Sequence, residues 1–187
     1  LERETIAERI RDNMHELAKT GRWLGGNAPL GYQSKPVSKI TIDGKERKSF
    51  CLEPVPEEID IPKLIFDLYT ETDSLTAVEA ELLRRRTKTK LGKDFTRFSI
   101  KGILQNPVYM VADEDAYDFF MERKAEVCFP KAKFDGSCGI MAYNRTDQEK
   151  GRAMILLPID EWIIALGKHP GIVPSKQWIA VQQSLER

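Results

Sequence analysis

Histidine and cysteine are scarce in this sequence of 187 residues. His15 and His169 lie in unrelated contexts. No Gly-x-Ser-x-Gly elbow, His-Glu-x-x-His pair or Cys-His constellation can be placed, so no catalytic residue is assigned. Cys51, Cys128 and Cys138 are widely spaced and form no Cys-x-x-Cys pair. That argues against a zinc site within the chain and against a disulfide framework. Reduced thiols in a cytosolic protein fit best. There is no signal peptide, and no apolar run is long enough to span a bilayer. The most apolar segment, Met154 to Leu166, is interrupted by Pro158, Asp160 and Glu161. Neither a membrane nor a cofactor is therefore expected as a partner.

An excess of charge of either sign is also missing, since the formal net charge is zero. The average hides segregation. From Glu53 to Leu82 there are nine acids (Glu53, Glu57, Glu58, Asp60, Asp67, Glu71, Asp73, Glu79, Glu81) against Lys63 alone. From Arg84 to Gln105 there are eight bases (Arg84, Arg85, Arg86, Lys88, Lys90, Lys93, Arg97, Lys101) against Asp94 alone. Such polarity permits a local positive field on a neutral chain.

The basic run leads into Phe95-Thr-Arg-Phe-Ser-Ile-Lys-Gly-Ile-Leu-Gln-Asn-Pro-Val-Tyr109. Thr96 is a capping residue and Pro107 cannot sit inside a helix, so a helix is predicted from about Arg97 to Asn106. Ile100, Ile103 and Leu104 make one apolar stripe at helical spacing. Arg97, Ser99, Lys101 and Gln105 fall largely off it and are able to hydrogen-bond to phosphates or base edges. An apolar back, a polar cationic front and a basic connector suit an element that reads a duplex. The same pattern also describes an ordinary amphipathic helix beside a solvated charge run.

The 41% hydrophobic share supports a core, and the length allows one domain or two small ones. Residues 1–20 read as a helix with Ile6, Ile10, Met14 and Leu17 at helical spacing and Gly21 as its stop. The sequence opens directly on this helix and reads as a piece of something longer. Residues 21–61 read as an extended arm followed by a β-hairpin. The arm, Gly21-Arg-Trp-Leu-Gly-Gly-Asn-Ala-Pro-Leu-Gly-Tyr32, has the small residues and the Arg that following a narrow groove requires, though an interdomain linker has the same composition. The hairpin runs over Ile40 to Leu52 around Asp43-Gly44. Residues 62–109 read as three short helices resembling a helix-turn-helix, with a connector from Thr87 to Phe95 longer than the usual turn. Residues 110–187 read as strands near Glu126–Phe134, Gly139–Asn144, Ala153–Leu157 and Glu161–Leu166, then a helix from Pro174 or Ser175 with Trp178, Val181 and Leu185 inward. The fold class is α+β, with a small antiparallel sheet behind the helices. The acidic cluster Asp113-Glu-Asp-Ala-Tyr-Asp118 misses the calcium-loop spacing and reads as a capped helix start; no metal is assigned.

Glu2-Arg-Glu-Thr-Ile-Ala-Glu-Arg-Ile10, the Gly21 to Tyr32 arm, Ile103-Leu-Gln-Asn-Pro-Val-Tyr109 and His169-Pro-Gly-Ile-Val-Pro-Ser-Lys-Gln-Trp178 together resemble the large serine recombinases, the phage integrases and transposases of bacterial mobile elements. The section from Val111 to Leu166 looks like the variant found in transposase-type members. The resemblance covers nearly the whole chain. It implies that residues 1–20 end the long helix leaving a catalytic serine domain that is not in this sequence. It implies that Arg22, Trp23, Gly25 and Gly26 belong to a linker tracking the minor groove. Residues 62–109 would read the attachment site or transposon end, with Arg84, Arg85, Arg86, Lys88, Lys90, Lys93, Arg97, Ser99, Lys101 and Gln105 as DNA-binding residues. The implied partner is double-stranded DNA in a bacterial cytoplasm, with the whole protein a dimer or tetramer on DNA. A zinc ribbon and coiled coil would begin after Arg187. This sequence alone would then bind DNA without cutting it. A protein–protein docking module, its acidic helices and basic connector serving as complementary surfaces, is the alternative. A magnesium-dependent nuclease built on Asp113, Asp115 and Asp118 is a third reading.

Overall fold

The computed structural model describes residues 2–23, 26–42, 45–147 and 155–187, with side chains described for 8–9, 11–23, 26–37, 49–147 and 155–187. Helix α1 spans Glu2–Ala18. Gly21 follows it at φ +64°, and its N–H donates to the Ala18 carbonyl at 3.0 Å. A Cβ on Gly21 would lie 2.5 Å from the Leu166 carbonyl oxygen, so both the backbone angle and the close approach require glycine there. Arg11 and His15 on α1 both reach the Glu126 carboxylate. Burial alone would raise the pKa of Glu126, but the Arg11 hydrogen bond and charge, with His15, outweigh it and hold the carboxylate low.

Strands β1 (Tyr32–Ile42) and β2 (Lys45–Pro54) pair antiparallel from Tyr32↔Pro54 to Ile42↔Lys45. The hairpin is longer than the sequence pattern suggests. A register shift between Pro36 and Ser38 accommodates the proline, as bulges do. The expected Asp43-Gly44 turn lies outside the described residues.

Three helices follow: α2 (Asp60–Thr72), α3 (Leu75–Arg84) and α4 (Arg97–Leu104). Ile65, Phe66, Leu68 and Tyr69 of α2 are buried, with Ile61 and Leu64 half-buried beside them. Ser74 caps α3 by accepting from the Ala77 N–H at 3.1 Å. After a short 3₁₀ turn at Pro107–Tyr109, α5 (Glu114–Glu122) opens at Asp113, whose carboxylate accepts from the Ala116 N–H at 3.0 Å.

The expected antiparallel sheet is mixed. Strand β3 (Glu126–Val127) lies parallel to β7 (Ile163–Leu166), and β4 (Ile140–Tyr143) antiparallel to it, in the order β3-β7-β4. The strand expected over Glu126–Phe134 shortens because Pro130 has no N–H to pair and the chain turns at Lys131–Lys133. Strands β5 (Thr146–Asp147) and β6 (Ile155–Leu156) form a separate pair. Helix α6 (Ser175–Leu185) buries Trp178, Val181 and Gln182. Trp178 meets the Phe119 ring edge-on, centroids 5.7 Å apart, and the Phe120 ring at a tilt.

An aromatic latch ties the stretch before β1 to the tail. The Tyr109 hydroxyl donates to the Leu30 carbonyl at 2.6 Å and that of Tyr32 to the Pro170 carbonyl at 2.7 Å. Tyr32 meets the His169 ring edge-on. His169 is buried, with Nε2 2.8 Å from the Val108 carbonyl oxygen. A carbonyl only accepts, so Nε2 carries the proton and the unpartnered Nδ1 is bare. Gly139 and Gly167 sandwich the ring. A Cβ on either would come within 2.4 Å of it.

Burial disfavours the charged imidazole and pushes the His169 pKa down to about 4, the Val108 bond offsetting this only in part. The unfolded chain titrates near the ordinary value of about 6.5. Stability from the neutral ring is therefore whole above about pH 6.5 and is lost as pH falls through 4, by up to about 3 kcal/mol. Urea unfolding at pH 7 and pH 4.5 is expected to show a larger loss for the native chain than for His169→Asn. Equal losses would show that His169 is not the group responsible.

Candidate functional site

Helix α4 is fixed from three sides. Its buried stripe, Ile100 and Leu104, is inaccessible to solvent, with Ile103 half-buried beside it. At its start, Thr96 Oγ1 accepts from the Ser99 N–H at 3.1 Å, and Ser99 Oγ accepts from the Thr96 N–H at 2.8 Å. Glu79 of α3 accepts from the Arg97 N–H at 3.0 Å, placing a carboxylate at the positive end of the helix. At its other end, Gln182 Nε2 donates to the Leu104 carbonyl at 2.7 Å and Trp178 Nε1 to the Asn106 carbonyl at 3.1 Å. Both donors come from α6. Orphan groups at each terminus are thus answered by side chains, and one face is left in water.

The α3–α4 connector is folded. Arg86 ends α3 in the left-handed region at φ 58°; its N–H donates to the Leu83 carbonyl and the Thr87 N–H to that of Leu82. This is a Schellman ending without its usual glycine. Lys88 then bridges to Asp94, with the Thr89 N–H donating to the Lys93 carbonyl at 2.8 Å and Gly92 turning at φ +75°. The connector's length is thereby spent on a small hairpin whose tip, Leu91, is 82% exposed.

The basic run divides into two sets. Glu81 takes Arg84 at 2.5 Å and Arg85 at 2.7 Å; hydrogen bonds from Arg84 and then Arg85 push its pKa down to about 2. Lys88 pairs with Asp94 at 2.5 Å. Lys90 lies 2.8 Å from Glu58 and donates to the Tyr32 carbonyl at 2.9 Å, pinning the connector to the hairpin. Burial would raise Glu58, but the hydrogen bonds from Lys90 and the Gly31 N–H, and the Lys90 charge, hold it low. Arg86, Lys93, Arg97 and Lys101 are exposed and have no carboxylate within 4 Å among the described residues.

Three expected site residues sit otherwise than the sequence pattern suggests. The Ser99 hydroxyl is consumed by the capping box. Gln105 is half-buried, beside a cavity of about 480 Å³ that Arg123, Trp162 and Gln182 also line. Lys90 is held internally. The arm is anchored rather than free at its start: the Tyr143 hydroxyl donates to the Arg22 carbonyl at 2.7 Å, and the Trp23 N–H to the Phe50 carbonyl at 2.9 Å. Arg22 Nε and Trp23 Nε1 are buried without a hydrogen-bond partner among the described residues. Gly26 is exposed at φ +83°, and Gly25 lies outside the described residues.

Sequence reasoning missed Phe98, which is 88% exposed on α4, and Gly102, whose Cβ position is open. The spacing held the signal: both fall opposite the Ile100–Leu104 stripe at about 100° per residue. It also missed Glu79 and Gln182, because a capping partner from another helix leaves no local pattern.

The Recombinase family model matches residues 56–187. The chain belongs to the Recombinase family. It forms the central region of a serine recombinase, and the matched span holds helices α2 to α6 and the mixed sheet. Two solved structures are similar to this recombinase region. One is a crystal structure of an LSR–DNA complex, with 16% identity over 96% of this chain and 42% of that one, at a TM-score of 0.48. The other concerns the sequence requirements of the Listeria innocua prophage attP site, with 17% identity over 95% of this chain and 51% of that one, at a TM-score of 0.48. The recombinase region thus spans about half, or less, of the solved chains it matches. No helix among its described residues is long and apolar enough to cross a membrane.

Removing one clamp at a time tests the seating of α4. Thr96→Ala is expected to cost about 1 kcal/mol. Gln182→Ala, which leaves a buried carbonyl unanswered, is expected to cost about 1–3 kcal/mol. Urea midpoints unchanged in both variants would show that α4 does not depend on these bonds.

Proposed function

We propose that this recombinase region binds double-stranded DNA with the outward face of α4 in the major groove, at the attachment sites or transposon ends on which the whole protein acts. The observation that carries the reading is the division of the basic run. Arg86 just after α3, Lys93 on the connector, and Arg97 and Lys101 on α4 itself are exposed and have no internal counter-ion among the described residues. Unpaired cations on a fixed surface are what phosphate neutralisation requires. A major groove about 12 Å wide admits an α-helix. Arg22, half-buried at the start of the glycine-rich arm with its backbone pinned by Tyr143, is the group proposed for the minor groove. Strand cleavage and exchange belong to a catalytic serine domain elsewhere in the whole protein, and the assembly on DNA is a dimer or tetramer.

The docking alternative needs its acids and bases free for a partner. Here Glu58 and Glu81 are occupied by Lys90, Arg84 and Arg85, which weighs against it.

The two sets of cations separate in a salt series. Arg86→Gly suits the left-handed backbone at that position and removes the guanidinium side chain without straining the turn. Combined with Lys93→Ala and Lys101→Ala, it is expected to lower the slope of log affinity against log salt by about three, near one per phosphate contact. Arg84→Ala with Arg85→Ala is expected to change it less. Fluorescence anisotropy with 30-base-pair duplexes measures both. A slope unchanged by the triple substitution would overturn the placement.

A further inference from the structure

We infer that Phe98 and Gly102 form an apolar notch that reads the 5-methyl group of a thymine in the major groove; this rests on the placement of α4 proposed above. Phe98 is 88% exposed, the most exposed of the large hydrophobic side chains among the described residues. It is not a packing residue left at an edge: Ile100 and Leu104 occupy the buried stripe, and Phe98 projects from the other side. Gly102 stands one turn further on, next to Phe98 on the helix surface. A glycine inside an exposed helix is unfavourable relative to alanine. No packing constraint explains it, since a Cβ there would meet nothing within 4 Å and its φ is not positive. What the missing Cβ provides is a shallow surface beside the Phe98 ring, open to an approaching base edge.

The chemistry of the neighbours selects the occupant. Arg97 and Lys101 are both exposed and, at about 100° per residue, lie along one side of the notch, so whatever covers it carries negative charge along that rim and an apolar group at its centre. A thymine edge between two phosphate strands has that arrangement, because its methyl group is the apolar feature of the major groove and phenylalanine is among the side chains that meet it. A wedge inserted between base steps is the other use of an exposed aromatic ring. It operates from the narrower minor groove, which does not admit a helix.

The test begins with duplexes selected by the protein from a random-sequence pool. Each thymine of the selected site is then replaced singly by deoxyuridine, which removes only the methyl group. At one or two positions this is expected to weaken binding about fourfold, the amount one buried methyl contributes. Phe98→Ala is expected to bind the thymine and deoxyuridine forms of those positions equally, a coupling that a double-mutant cycle reads directly. Gly102→Ala is expected to raise the thermal midpoint while weakening binding to the thymine form. Indifference to deoxyuridine throughout, or a penalty that persists in Phe98→Ala, overturns the inference and leaves the DNA-binding reading intact. Failure of the pool to yield any bound duplex overturns both.

Discussion

The seating of α4 is the constraint on which the rest of the surface depends. Ile100 and Leu104 fix which face is buried. Thr96, Ser99 and Glu79 fix where the helix begins, and Gln182 and Trp178 answer the carbonyls at its end. A helix of two turns has little stability of its own. Its rigidity is borrowed from α3 on one side and α6 on the other. That makes the tail, from His169 to Leu185, part of the platform for an element some seventy residues earlier. The Tyr32, Tyr109 and His169 latch extends the same platform to the stretch before the hairpin.

The second constraint is electrostatic. A run of basic residues in sequence is not a run in function. Half of the eight bases between Arg84 and Gln105 serve the fold: Arg84 and Arg85 close on Glu81, Lys88 closes the connector hairpin on Asp94, and Lys90 joins the connector to Glu58 and the Tyr32 carbonyl. The acidic stretch upstream is in part the source of these partners, which explains how strongly segregated charges coexist on a neutral chain. What remains for a partner is a smaller set around a fixed helix.

The sequence made legible whatever is written locally. Thr96 before an apolar stripe, the Asp113 cluster before α5 and Gly21 after α1 are capping signals, and each stands where the structure has a helix boundary. The Gly21 to Tyr32 arm and the Asn106-Pro-Val-Tyr109 turn carried the family, which the match over residues 56–187 shows independently. Less legible was everything set by distant partners. The parallel β3–β7 pairing, the Glu79 and Gln182 clamps, and the internal use of Lys90 depend on contacts across the fold. Phe98 went unread for a different reason. An aromatic residue is expected in a core, and only the angular position of Ile100 and Leu104 shows that this one faces out.

The central claim is that α4 meets the duplex. Site-specific photo-crosslinking tests it most directly. A photoreactive side chain replaces Lys101 in one preparation and the exposed Gln183 of α6 in another, each irradiated with radiolabelled duplex. The account predicts a DNA adduct from position 101 that unlabelled duplex competes away, and none from position 183. Adducts of equal yield from both positions, or from position 183 alone, would contradict it.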